Sequence, residues 1–129
     1  MFKVIVAGGR DFADYKLLTA QCNWYLSLRA PSDVEIVCGM AKGADSLGAK
    51  YACERGITVR TFPAEWNKYG KQAGYMRNKE MADYADALIA FWDGKSKGTL
   101  DMIRRMKQSG KPCRIVRYGQ GVSSDTGTD

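Results

Sequence analysis

The sequence predicts an α/β fold, a single three-layer sandwich around a five-stranded parallel sheet of order 3-2-1-4-5. Three observations predict it. Five short runs rich in Val and Ile alternate with four segments of helical periodicity, a β-α-β-α-β-α-β-α-β pattern. Three of the runs are nearly continuous in apolar residues, as parallel strands covered on both faces must be. The loops that follow strands carry glycine, whereas "RAPSD" and "ERG", which follow helices, are ordinary turns. With right-handed crossovers, that strand order places a switch point between the first and fourth strands, where ligands bind outside the carboxyl ends.

In chain order, "FKVIVA" (2–7) reads as a buried strand. A helix over 14–29 follows, with Leu17, Leu18, Cys22, Tyr25 and Leu26 on one stripe. "VEIVCG" (34–39) is the second strand. The helix over 44–55 carries Ala44, Leu47 and Tyr51 and is stopped by Gly56. "ITVRTF" (57–62) alternates apolar and polar residues, as does the last strand, "CRIVRY" (113–118), so both belong nearer the sheet edges. Between them lie a helix over 71–84 with Met76, Met81 and Tyr84, the strand "DALIAFW" (86–92), and a helix over 97–109 with Leu100, Ile103 and Met106. The last is ended by "SGKP". The domain spans 1–118. The tail 119–129, "GQGVSSDTGTD", has no periodicity and is expected to be disordered.

Composition narrows the chemistry. With 45% apolar and 26% charged residues in 129, the chain reads as one soluble globular domain. No apolar run approaches the roughly 18 residues of a membrane span, and the start reads as a strand, not a signal peptide. There is no histidine, which removes Ser-His-Asp and Cys-His catalysis and imidazole metal sites. The four cysteines are scattered, without a C-x-x-C pair, and read as reduced core thiols in a cytoplasmic setting. No residue set calls for a metal, although Mg²⁺ can accompany a phosphate ligand. The net charge is +6, and between Lys95 and Arg117 eight basic residues face one acid, Asp101. That cluster is either a solvated helix surface or a face for polyanions.

The candidate site residues lie in the four loops on the carboxyl side. In "GGRDF" (8–12), Gly8 and Gly9 permit close approach and Arg10 can bind a phosphate or pair with a nearby acid. In "GMAKGAD" (39–45), Gly39 and Gly43 let backbone N–H groups reach an anion at a helix start, and Asp45 can cap the helix or hold a ribose hydroxyl. "PAEWNKYGKQAGYMRN" (63–78) offers Arg77 and Asn78 to phosphate and base edges. It also offers Trp66 and Tyr69 for stacking on a base or covering the core, and Glu65 as an acid. In "WDGKSKGT" (92–99), Gly94, Ser96, Gly98 and Thr99 suit a second phosphate-binding helix start, or a plain capped one.

Five of these motifs, "VIVAGGRDF", "GMAKGADSLGAKYA", "FPAEW", "GYMRNKEM" and "ADALIAFWDGKSKGTLDMI", together resemble the YspA-like branch of the SLOG superfamily, from about Phe2 to Tyr118. That superfamily also holds the cytokinin-activating phosphoribohydrolases and the DNA-uptake protein DprA. The resemblance implies a Rossmann-like fold, a pocket for a nucleotide or nucleotide-derived ligand lined by the loop residues above, and a homo-oligomer. It implies a sensor or sequestering module first. A nucleoside-monophosphate phosphoribohydrolase, with Arg77 gripping the phosphate and Glu65 or Asp101 supplying the carboxylate, comes second. DprA-like DNA binding comes third. The phosphoribohydrolase pattern places its catalytic glutamate at position 102, where this chain has Met102, and its paired-glycine turn is altered here to "WDGKSK". Both departures count against N-glycosidic hydrolysis, since one residue along a helix turns a side chain by about 100°.

Overall fold

A computed structural model describes residues 1–119, so the tail expected to be disordered lies, past Gly119, outside the described residues. The elements run β1 (Phe2–Gly8), α1 (Tyr15–Tyr25), a 3-10 turn (Pro31–Asp33), β2 (Val34–Cys38), α2 (Ala44–Arg55), β3 (Thr58–Thr61), α3 (Trp66–Tyr69), a second 3-10 turn (Gly70–Gln72), α4 (Ala73–Tyr84), β4 (Ala87–Trp92), α5 (Lys97–Gln108) and β5 (Cys113–Arg117). The sheet is five-stranded, ordered β3-β2-β1-β4-β5 with each pairing parallel, as predicted. The two alternating strands, β3 and β5, form its edges.

Alternation along each strand feeds two cores. Val4 and Val6 of β1 pack with Ile36, Ile89 and Phe91 beneath α1 and α2, against Leu18, Cys22, Tyr51 and Ala52. Ile5 and Ala7 point the other way, with Val37, Leu88 and Ala90, beneath α4 and α5, against Met81, Ala82, Met102, Ile103 and Met106. This two-sided burial is why the central strands read as continuous apolar runs. Local signals set the helix ends. The Asp14 carboxylate accepts from the Leu17 N–H at 3.0 Å at the start of α1, and Gly56, at φ 67°, closes α2 in the left-handed region that disfavours other residues.

Three details differ from the sequence reading. Helix α1 stops at Tyr25 rather than continuing to 29, because past Leu26 the backbone bonds shorten to i→i−3 turns, Ser27 N–H to the Trp24 carbonyl and Arg29 N–H to the Leu26 carbonyl. The helix read over 71–84 begins at Ala73, with Arg77 and Asn78 on it as read, but the stretch ahead of it, read as loop, holds α3 and a 3-10 turn. Of the four thiols, Cys22 and Cys38 are buried, Cys113 is half-buried and Cys53 is exposed, so the core assignment fails for Cys53.

The centre of the sheet is tight where β1 meets β4. Gly8 pairs with Phe91, and a β-carbon at Gly8 would collide with the Phe91 carbonyl oxygen and meet Ala44 Cβ at 2.9 Å. Backbone cannot yield cheaply there. Gly8→Ala is therefore expected to destabilise the fold by about 2–3 kcal/mol. The check is urea unfolding, with a lower midpoint at unchanged slope.

Candidate functional site

The strand order opens a cavity of about 270 Å³ at the carboxyl ends of β1 and β4. Its walls come from five segments. Ala7 and Gly8 end β1 and Arg10 follows it, Ala41 and Asp45 follow β2, Trp66 stands on α3, Lys71 in the second 3-10 turn precedes Gly74, Tyr75, Arg77, Asn78 and Met81 of α4, and Ser96, Gly98, Thr99 and Met102 open α5. Thus Gly8, Arg10, Asp45, Trp66, Arg77, Asn78, Ser96, Gly98 and Thr99 of the predicted set come together on one lining. Three cations, Arg10, Lys71 and Arg77, share that lining with one carboxylate, Asp45.

Asp45 is only 5% exposed. It does not cap α2, whose N-cap is Gly43 with no side-chain bond. Instead its carboxylate accepts backbone N–H groups of Gly8, Gly39 and Ala41, joining the ends of β1 and β2. Burial pushes its pKa up to about 6, opposed by the Arg77 charge and by those three N–H groups. Arg77 is fixed in turn: one terminal nitrogen donates to the Gly39 carbonyl and Nε donates to Asn78 Oδ1 at 3.1 Å. Asn78 passes the connection on, donating to the Gly98 carbonyl at 3.1 Å and to Asp101 at 3.0 Å. A chain of polar contacts therefore runs from β1 through α2 and α4 to α5 along the cavity wall.

Most of the predicted glycines make room for the protein itself. A β-carbon at Gly39 would meet both Arg77 and Asp45 at 2.8 Å, and one at Gly9 would strike the Tyr118 hydroxyl. Gly43 has φ 79° and stacks against the Gly9 and Arg10 backbone, while Gly94 accommodates the Arg117 guanidinium. None of these four lines the cavity. Gly98 differs: it lines the cavity, and a β-carbon there would meet nothing within 4 Å. Beside it Ser96 caps α5, accepting from the Thr99 N–H at 3.4 Å and sharing a 3.1 Å hydroxyl contact with Thr99. The cap on this helix is Ser96, not Thr99.

The catalytic candidates fare differently. Asp101 lies off the cavity lining, engaged by Asn78 and by Arg105 Nε at 2.8 Å. Glu65 and Tyr69 line a neighbouring depression of about 220 Å³. Met102 lines the cavity instead. Lys71 and Tyr75 also line it and were missed by the sequence reading. Lys71, Tyr75 and Asn78 are spaced four and then three residues apart, a helical spacing that was visible in the sequence. Among the described residues no group of three or more Cys, Asp or Glu side chains can hold a metal ion, and Asp45, the one cavity carboxylate, is occupied by backbone N–H groups.

Residues 2–69 match the family described as YspA, cpYpsA-related SLOG. Over 125 residues the chain is 31% identical to the Gene 61 protein of Mycobacterium phage D29, covering 92% of this chain and 98% of that protein. Its fold is similar to that of DNA processing protein A (DprA) from Streptococcus pneumoniae, with a TM-score of 0.72, 18% identity, and coverage of 100% of this chain and 54% of that one. The chain thus spans about half the length of that protein. A second similar structure is DprA from Helicobacter pylori, described in its single-stranded DNA binding mode, with a TM-score of 0.69, 18% identity, and coverage of 93% and 67%.

A raised carboxyl pKa has a definite sign in stability. The proton-bound form of Asp45 is favoured by folding, so its contribution is present below the ordinary 3.8 and is lost as pH rises through about 6. Relative to Asp45→Asn, which does not titrate, the wild-type chain is expected to lose stability between pH 4 and 7, by roughly 3 kcal/mol at most. Urea unfolding of both proteins across that range measures it, and a pH-independent difference would contradict the burial-driven shift.

Proposed function

The chain belongs to the YspA, cpYpsA-related SLOG family, and we propose that it binds a nucleotide or nucleotide-derived ligand in the cavity beside β1 and β4, as a sensor or sequestering module. One observation carries the reading. A single cavity collects three cations, the amino end of α5 and an aromatic side chain 49% exposed, Trp66. Cations and a helix start suit a phosphate, and a half-exposed indole suits the face of a base. The volume, about 270 Å³, sits at the small end of ligand sites and suits one nucleotide unit rather than two.

Arg77 and Arg10 divide the phosphate work. Arg77 is immobilised by Gly39 and Asn78, so it presents its remaining N–H groups with little entropy left to lose. Arg10 is exposed and follows β1, free to close onto a ligand. Binding without chemistry is favoured over hydrolysis by the lining itself. Met102 stands where a phosphoribohydrolase places its glutamate, and both Asp101 and Glu65 lie off the cavity. In a cytoplasmic setting the ligand would be a common nucleotide or a signal derived from one.

Native mass spectrometry of the purified protein, before and after addition of a nucleotide panel, tests the proposal. An intact nucleotide bound at stoichiometric occupancy is the expected result. Free base with ribose phosphate would instead make the protein a hydrolase. No adduct with any nucleotide would reject the cavity as a nucleotide site. The same assay reports subunit number and so tests the homo-oligomer.

Two variants separate binding from folding. Arg10→Ala removes an exposed cation and is expected to weaken phosphate-bearing ligands roughly tenfold, the size of one charge-assisted contact, with unchanged stability. Gly98→Ala places a methyl in open cavity space within the first turn of α5. It is expected to leave stability equal or up to about 1 kcal/mol higher, because alanine favours the helix, while lowering affinity. Calorimetric titration beside thermal unfolding reads both.

A further inference from the structure

Arg10 lines the cavity, and among the described residues no hydrogen bond or ion pair engages its side chain. A carboxylate follows directly in sequence, so this freedom has a cause. Arg10 and Asp11 are the central residues of a turn closed by the Phe12 N–H on the Gly9 carbonyl at 3.2 Å, and both are exposed. Neighbouring opposite charges on an open turn attract each other. Here Asp11 is taken elsewhere: the Tyr118 hydroxyl, just past β5, donates to Asp11 Oδ1 at 2.6 Å. The bond lies on the far side of the sheet from the cavity. Tyr118 and Phe12 pack on the face covered by α1 and α2, where Phe12 stacks on Phe91 with ring centroids 4.7 Å apart and meets the Tyr118 ring edge-on at 4.9 Å. The cavity opens on the other face, against Met81 and Met102. The Tyr118 N–H donates to the Trp92 carbonyl at 3.1 Å, which fixes where the ring stands. Gly9 leaves the space the bond needs, since a β-carbon there would meet Asp11 Oδ1 at 2.9 Å as well as the hydroxyl. Burial, and then the bond to Asp11, hold the Tyr118 pKa well above the usual phenol range, so the hydroxyl stays a donor.

We propose that Tyr118 is a positioning residue for anion binding: by drawing Asp11 to the α1–α2 face it keeps that carboxylate off Arg10 and leaves the guanidinium for a phosphate in the cavity. The inference rests on the reading of the cavity as a nucleotide site, and it adds the residue that sets the charge at its rim. Tyr118 lies off the cavity lining and touches no ligand; it acts through Asp11 on Arg10. Without the hydroxyl, the Asp11 carboxylate loses its partner and the nearest cation in sequence is Arg10. An incoming phosphate then has to displace a carboxylate before it meets the guanidinium. A tyrosine that merely braced the turn would give the same loss of affinity on removal, but that loss would not depend on the charge of Asp11 or on the presence of Arg10.

The test is calorimetric titration of the full chain with AMP, GMP, CMP and UMP, beside thermal unfolding. It compares wild type with Tyr118→Phe, with Tyr118→Phe combined with Asp11→Asn, and with Arg10→Ala in the presence and absence of Tyr118→Phe. Tyr118→Phe keeps the ring against Phe12, and it is expected to weaken the monophosphates by up to about fivefold, the size of an exposed ion pair that must be broken. Adding Asp11→Asn removes the competing charge and is expected to restore affinity to within about twofold of wild type. In the Arg10→Ala chain, Tyr118→Phe is expected to cost nothing further. A loss that Asp11→Asn does not restore, or that persists without Arg10, makes Tyr118 a brace for the turn and overturns the proposal. Unchanged affinity in Tyr118→Phe also overturns it and leaves the cavity reading standing. Wild-type protein that binds none of the four overturns both.

Discussion

The carboxyl edge of this sheet is organised around one buried carboxylate. Asp45 accepts three backbone N–H groups, from Gly8 at the end of β1 and from Gly39 and Ala41 after β2, under the field of Arg77. Removing a carboxylate from water is expensive, and what offsets the cost here is geometric: every partner must stay in place. The same requirement explains neighbouring residues that otherwise look unrelated. Gly39 must lack a side chain because Arg77 and Asp45 crowd the position a β-carbon would take. Arg77 must lie flat against the Gly39 carbonyl, and Asn78 must hold its Nε. The cavity wall is thus set before any ligand arrives.

The fold was legible because two physical periods separate cleanly in this chain. Strands buried on both faces produced continuous Val and Ile runs, and the alternating runs 57–62 and 113–118 fell on the edges as their one-sided exposure requires. The loops that carry the candidate site were legible for the same reason, since strand order alone decides which loops share an edge. Helix α4 was harder. Its apolar stripe was read through Met76, yet Met76 is exposed, and the buried face runs through Ala73, Asn78, Met81 and Ala82. A helix that lines a cavity turns polar and small residues inward, so hydrophobic periodicity points to the wrong face. That is why Lys71 and Tyr75 escaped notice.

Charge shows a related limit. The eight basic residues from Lys95 to Arg117 do not form one open face. Lys111 donates to the Ala82 carbonyl at 2.6 Å, closing the end of α4, Arg114 bonds Gln21 and stacks over Trp24, Arg117 lies over Trp92, and Arg105 holds Asp101. The cations that meet at the cavity, Arg10, Lys71 and Arg77, come from segments far apart in sequence. A count along the chain sees local density, whereas the field at a site depends on which strand ends the fold brings together.

The position of Met102 bears on the proposal that the site binds without chemistry. Helix α5 presents Gly98, Thr99 and Met102 to the cavity, and Asp101, one residue earlier, is carried round to Asn78 and Arg105. Sliding the carboxylate into the cavity would require rotating the helix, and Met102, Ile103 and Met106 are locked into the core beneath it. The carboxylate that does reach the cavity, Asp45, spends its oxygens on backbone N–H groups that hold two strands together. Drawing Asp45 into proton transfer would release those groups and loosen the wall that positions Arg77. A lining whose one carboxylate among the described residues is engaged by backbone N–H groups, and in which Arg77 is held in advance while Arg10 stays exposed, supports the proposal that the cavity recognises an anion. That is the physical basis for reading the cavity as a binding site.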